Sequence, residues 1–294
     1  MLSALVSQGF PGFPMAVART RAPCSQIKRD TTFATPGYVV YLHNRYHYNI
    51  CRQGLQVSNQ ICYDALCEVN KSMRMRKKPN LAPRMERCAR VLISDPAALR
   101  GRWMSLMPQA SVLYLELGCG KGRFTAETAA QNPQALYIAV ERVPDAMVIA
   151  MERVCAMDLH NVFFIDGDAA DLTELFAPSE VDRIYINFCD PWPGNRHAKR
   201  RLTHPDFLLR YRQILSRKGE IHFKTDNHDL FEWSLFQFPK AGFQLSQVTR
   251  DLHANGICGV MTDYEEKFHN LGTPINRCVG SIAPLPVSHK NAES

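Results

Sequence analysis

Between residues 112 and 224, five short apolar runs alternate with helical stretches. The runs are 112–117, 135–140, 162–165, 181–188 and 219–224; the helices are expected over 123–130, 144–157, 171–176, 204–216 and 228–239. Strands buried on both faces read as continuous apolar runs, and a helix between successive strands returns the chain to the same edge. The pattern therefore predicts an α/β fold, a doubly wound and mainly parallel sheet. Runs 244–252 and 276–282 bring the expected strands to seven. A chain of 294 residues, 46% of them apolar, can bury a core of that size.

Residues 1–72 differ in texture. Pro and Gly punctuate residues 9–14, no hydrophobic period persists, and seven Lys/Arg stand against three Asp/Glu. The remainder carries 28 against 25, so its basic excess is mild and its clustering matters more than its sum. His43, His47 and Cys51 would share a helix face, with Cys62 and Cys67 nearby, but the spacing fits no zinc pattern and no metal is expected. A basic lead-in, MRMRKKPNLAPRMERC, begins at Met73 and is interrupted at Pro79 and Pro83. Residues 1–72 are thus read as an N-terminal extension, disordered or outside the catalytic unit, and 73–294 as the catalytic domain. An upstream reading-frame extension is favoured over a targeting segment or an accessory region.

The ten cysteines include no CxxC pair and several lie in apolar runs, which suits reduced thiols and a cytoplasmic protein. No apolar run reaches the ~20 residues of a membrane span, so no membrane association is expected.

The first strand closes on Glu116-Leu-Gly118-Cys-Gly120-Lys-Gly122. Glycines at a strand-to-helix turn let the backbone approach a ligand closely. Dinucleotide sites space them GxGxxG and leave the helix N-terminus for a pyrophosphate. Here the spacing is GxGxG with an acid two residues ahead, which suits a cationic sulfonium and amine and disfavours a pyrophosphate. A Walker A reading fails, because Leu115 stands for its first glycine and Arg123 for its Ser/Thr. Glu141 ends the second strand, where an acid accepts ribose hydroxyls, and Asp168 follows the third, in reach of an adenine amino group. Each acid alone could equally be a loop acid or a cap.

After the fourth strand comes NFCDPWPGNRHAKRR. Asp190 at a strand's carboxyl end, fixed by Pro191, faces a ligand crevice. Arg196, His197, Lys199, Arg200 and Arg201 follow within six residues, a clamp for a polyanion or a solvated face. Trp192 is either a base-stacking platform or a packed support for the turn.

The stretches LELGCGKGRF, AVER, DGDA, FCDPWPGNRHAKRRL, HFKTD and TDYEEKF, in this order from about Met73 to Ile282, resemble the bacterial tRNA (guanine-N7-)-methyltransferases. That family comprises Rossmann-like class I enzymes dependent on S-adenosyl-L-methionine. The resemblance implies methylation of a guanine N7 at position 46, in the variable loop of tRNA, by a monomer or homodimer. It implies that Glu116, Gly118, Gly120, Glu141, Asp168 and Asp190 bind the cofactor, with Asp190 catalytic. It implies that Asp226, Thr262, Asp263, Tyr264 and Glu265 bind substrate, and that Arg196, His197, Lys199, Arg200 and Arg201 meet the RNA. Gly194 departs from the pattern, since the family usually has lysine there. Thr262 to Glu265 also reads as a capping box. Acid-Pro-aromatic turns serve enzymes that methylate exocyclic or side-chain amines of other RNA or protein substrates, so that alternative stays open.

Overall fold

The computed structural model describes residues 31–35, 38–42 and 77–283. The chain divides into two compact units, Met1–Ser72 and Met73–Ser294. In the first, β1 (Thr31–Thr35) and β2 (Tyr38–Leu42) pair antiparallel, with Thr31 opposite Leu42 and Thr35 opposite Tyr38. These β-branched and aromatic runs suit a strand, and the sequence reading had assigned them no element. His43, His47, Cys51, Cys62 and Cys67 lie outside the described residues.

In the second unit the lead-in forms one helix, α1 (Leu81–Arg87), which begins only after Pro79. Pro83 sits in its first turn, where the missing N–H costs nothing. The expected alternation then follows: β3 (Val112–Leu117), α2 (Arg123–Gln131), β4 (Ala135–Glu141), α3 (Pro144–Ala156), β5 (Val162–Asp166), α4 (Leu172–Leu175), β6 (Val181–Asn187), α5 (Pro205–Ile214), β7 (Leu215–Thr225) and α6 (His228–Lys240). β8 (Phe243–Thr249), α7 (Asp263–Asn270) and β9 (Asn276–Ile282) complete the unit.

The seven strands order as β5-β4-β3-β6-β7-β9-β8. β3 to β7 run parallel, whereas β9 is antiparallel to both β7 and β8. All seven residues of β4 are buried, because helices cover both faces of the sheet. Its side chains alternate between two cores: Leu136, Ile138 and Val140 join one, Ala135, Tyr137 and Ala139 the other. In the first core Trp103 is fully buried, stacks on Phe176 with centroids 5.0 Å apart and donates its indole N–H to the Leu175 carbonyl at 2.9 Å. In the second, α1 is tied to α3 by a bidentate pair, Arg84 to Glu152, at 2.7 and 2.6 Å.

One boundary moves. The helix expected to Ser216 ends at Ile214, and β7 begins at once with buried Leu215. Leu215 pairs with Val181 and Glu220 with Arg183, so four residues of β7 stand against one of β6 and the chain bulges out between them. They include the exposed Arg217 and Lys218, whose polarity keeps the bulge in solvent. Among the described residues, no helix is long and apolar enough to cross a membrane.

Candidate active site at the strand switch point

β3 is flanked by β4 and β6, so the chain winds outward from it in both directions. The crevice of such a sheet opens at the carboxyl ends of the two strands where the winding reverses. The Gly118–Gly122 loop follows β3 there. Gly118 and Gly120 have φ of 74° and 57°, and nothing lies within 4 Å of where a Cβ would stand on either. Both conditions suit glycine, and the open space leaves bare backbone to a ligand. At Gly122 a Cβ would collide with Ala150, so the third glycine serves close packing of α2 on α3.

Glu141, 8% exposed, organises this loop. Its Oε2 accepts the Gly120 N–H at 2.8 Å, and its Oε1 accepts those of Arg142 and Val143, both at 2.9 Å. Glu116 is 2% exposed. It accepts the Thr125 hydroxyl on one oxygen and the Asn187 amide on the other, the latter at 3.0 Å. Burial pushes its carboxyl up, against the pull of those two hydrogen bonds and the Lys224 charge. The Oδ1 of Asn187 is buried with no hydrogen-bond partner among the described residues. Asp168 caps the turn after β5 by accepting the Ala170 N–H at 3.0 Å, and Arg142 stands 3.5 Å from its other oxygen.

Asp190 lies just beyond β6, exposed. The turn that carries it is anchored by the Phe188 N–H on the Lys224 carbonyl, 2.9 Å. It is bracketed by two bulky residues in left-handed conformation, Phe188 at φ 54° and Trp192 at φ 42°. Such residues avoid that region, and strain of this kind gathers at functional sites. Asp226, after β7, has its carboxyl pushed up by burial. Tyr264 reaches the same patch from α7: burial raises its phenol, and the charges of Asp226 and then Asp190 add to the effect. Burial likewise pushes the Cys189 thiol up to about 12, with Asp190 the largest charge acting on it. The Tyr264 ring lies 5.5 Å from that of Phe188, and Phe188 is held by the Lys224 carbonyl two residues before Asp226, so Asp190, Asp226 and Tyr264 gather at one end of the sheet from three elements far apart in sequence.

Thr262 and Glu265 form the expected capping box. Glu265 is completely buried and does more than cap. It accepts the Lys224 ammonium at 2.7 Å and lies 3.0 Å from the His253 ring nitrogen. Asp263 pairs with Arg153 of α3 at 3.3 Å. Lys224 and His253 had not been singled out in the sequence. Lys224 is visible there as a charge inside an apolar strand, whereas nothing around His253 marks it.

The basic run forms a short 3-10 helix, Asn195–Arg200, entered through Gly194 at φ 85°. Arg196, Lys199 and Arg200 are exposed and His197 is half-buried. The Arg200 guanidinium lies 4.8 Å from the Trp192 centroid, and the His197 ring 6.2 Å. Arg196 donates to His197 at 3.0 Å. Arg201 turns the other way: it is 8% exposed and donates to the carbonyls of Pro191 and Trp192. A cavity of about 240 Å³ opens on the α2 side, lined by Phe124, Thr128, Asn187, Lys224 and Arg277. Gly118, Glu141, Asp168 and Asp190 do not line it.

The family model described as "Putative methyltransferase" matches residues 110–278. The chain is 45% identical over 206 residues to the tRNA (guanine-N(7)-)-methyltransferase of Streptococcus suis, across 70% of this chain and 97% of that one. It is 44% identical over 206 residues to the enzyme of that name from Bacillus subtilis, again across 70% and 97%. Among solved structures it resembles the 16S rRNA methyltransferase KamB, with a TM-score of 0.50 at 18% identity, over 63% of this chain and 94% of that one. That last likeness is one of fold.

Proposed function

This chain belongs to the tRNA (guanine-N(7)-)-methyltransferase family, and from that membership we propose that it methylates N7 of guanine 46, in the variable loop of tRNA, at the expense of S-adenosyl-L-methionine. The observation that carries the reading is the gathering of Asp190, Asp226 and Tyr264 at the ends of β6 and β7, next in the sheet to β3 and its glycine loop.

The residues at the switch point fit the cofactor. Gly118 and Gly120 leave open space against bare backbone, and the Asn187 Oδ1 is a buried acceptor that lacks a donor. When bound, S-adenosyl-L-methionine supplies a methyl group activated by its sulfonium charge. Glu116 and Asn187 offer acceptors to the amino end. Glu141 accepts three backbone N–H groups, and a carboxylate has about four acceptor sites, which leaves one for a ribose hydroxyl. Asp168, at the turn after β5, is the acceptor we assign to an adenine amino group.

Guanine N7 is an unprotonated acceptor on the groove edge of the base, so no general base is needed. Methylation leaves positive charge on the purine, and the Asp190 carboxylate stabilises that charge as it develops. Its strained turn fixes where the carboxylate points, and such positioning supplies much of the rest. Tyr264 and Asp226 line the side from which the base arrives, with Thr262 and Glu265 holding the start of α7. Arg196, His197, Lys199 and Arg200 face outward beside them and suit phosphate contact. Residues 73–294 are the catalytic unit, working in the cytoplasm; six cysteines among the described residues are free thiols.

The test is methyl transfer from labelled cofactor to unmodified tRNA, followed by nucleoside analysis. The expected product is 7-methylguanosine at position 46. Label on an exocyclic amine, or on protein alone, would overturn the reading.

A further inference from the structure

Arg201 ends a run of basic residues, yet its surroundings differ from those of its neighbours. Lys199 and Arg200 are exposed, whereas Arg201 is 8% exposed. Its Nε donates to the Pro191 carbonyl at 3.1 Å and to that of Trp192 at 3.3 Å, and its Nη2 donates to Trp192 again at 3.1 Å. The guanidinium carbon lies 4.4 Å from the ring centroid of Trp233, on α6. The next residue, Leu202, and Cys189, which precedes Asp190, both pack against the core that includes Trp103. The end of the basic run is thus folded back onto the turn that carries Asp190, holding the two residues that follow it.

We propose that Arg201 is a positioning residue for Asp190, fixing the Asp190-Pro191-Trp192 turn from beneath, and that it makes no phosphate contact with tRNA. The proposal rests on the reading of Asp190 as the reacting carboxylate. A guanidinium presents a planar fork of donors, which here meets two successive carbonyls while its face stacks on an aromatic ring. The turn it holds is strained at Trp192, φ 42°, and a strained turn keeps its shape only where its surroundings over-determine it. Without Arg201 both carbonyls lose their donor and the turn can relax, carrying Asp190 with it. A shift of about 1 Å at a reacting group can cost on the order of a hundredfold in rate. Arg201 is already turned inward and covered, so its removal takes no cation from the surface that meets phosphates.

The experiment compares Arg201→Ala and Arg201→Lys with Lys199→Ala/Arg200→Ala and Asp190→Ala, all in the full chain with unmodified tRNA. Turnover is measured at saturating tRNA, and tRNA affinity by filter binding across a salt series. Arg201→Ala is expected to lower kcat at least tenfold while leaving tRNA affinity and its salt slope unchanged. Arg201→Lys, which keeps a donor and a charge, recovers part of the rate. Should Arg201→Ala fail to fold, Trp233→Leu removes the stacked ring and leaves the hydrogen bonds; it should lower kcat more mildly, again with an unchanged salt slope. An unaltered kcat in the folded variant overturns the proposal, and so does a salt slope flattened by one full contact. Asp190→Ala separates the two levels. If it is inactive while Arg201→Ala turns over normally, only the role of Arg201 fails; if it is active, the reading of the site fails with it.

Discussion

The Lys224 ammonium donates to the Glu265 carboxylate at 2.7 Å, and both side chains are buried, at 7% and 0% exposure. The pair joins β7, whose end carries Asp226, to α7, which carries Tyr264. It therefore sets the distance between two walls of the candidate site. Removing one partner leaves the other charge buried and unpaired, which costs about 3–5 kcal/mol. Glu265→Ala should lower urea-unfolding stability by about that amount. Lys224→Met/Glu265→Leu should be less damaging than Glu265→Ala, since no lone charge remains. Equal losses in the two would show that the carboxylate matters here through its His253 and Thr262 contacts instead.

Glu141→Ala should weaken S-adenosyl-L-methionine binding. If the ribose binds as proposed, it loses a charged acceptor worth about 1–3 kcal/mol, and Gly120 loses the acceptor that holds the loop. Calorimetric titration with the cofactor measures the change. Unaltered affinity would place the ribose elsewhere.

Replacing Lys199 and Arg200 by Ala should weaken tRNA binding and flatten its dependence on salt by roughly 0.7–0.9 in log–log slope per lost phosphate contact. Filter binding between low and physiological salt reads the slope. An unchanged slope would make this face merely solvated.

His222 is held neutral in the fold, its pKa lowered by burial from 6.5 to about 4 despite the hydrogen bond it donates to Glu220, which opposes the shift. The unfolded chain therefore binds more protons than the folded one between those values, and stability falls as pH drops from 6.5 toward 4. The neighbouring Glu220 carboxyl is lowered by His222 and Arg183 against its own burial, and it too loses stabilisation in acid. His222→Gln should flatten the acid limb of a stability profile, by up to about 1.4 kcal/mol per pH unit. Thermal unfolding at closely spaced pH values is the measurement, and a parallel profile would remove His222 from it.

A chain beginning at Met73 should fold and methylate tRNA like the full chain. The described strands and helices of the catalytic unit all follow that residue, and the two compact units divide there. Limited proteolysis should trim the protein toward Met73 and stop. Insolubility of the shortened chain, or loss of tRNA affinity at physiological salt, would assign residues 1–72 a working part.

The strands were legible because burial on both faces leaves a plain mark, a run of apolar residues: β4 and β9 appear almost residue for residue where the sequence puts them. The start of β7 was not legible, since Leu215-Ser-Arg-Lys continues a helical pattern and only pairing with Val181 makes Leu215 a strand residue. The Thr262–Glu265 cap could be read because both partners lie within one turn. The burial of Glu265 could not, because Lys224 and His253 arrive from elsewhere in the chain.

What the sequence by itself determined was local or periodic: the alternation of strand and helix, the glycine loop behind an acid, and the acid-Pro-aromatic turn followed by cations. Each is written within a few residues, where backbone sterics and hydrophobic period act. What only the tertiary structure decided was which charges look outward and which look in. Lys199, Arg200 and Arg201 are three like residues in a row, but the last falls where the helix Asn195–Arg200 ends and the backbone turns. There its guanidinium donates to the carbonyls of Pro191 and Trp192 and lies over the ring of Trp233. Trp233 comes from another helix, so its part in burying that charge is set by packing between distant segments, which neighbouring residues do not encode.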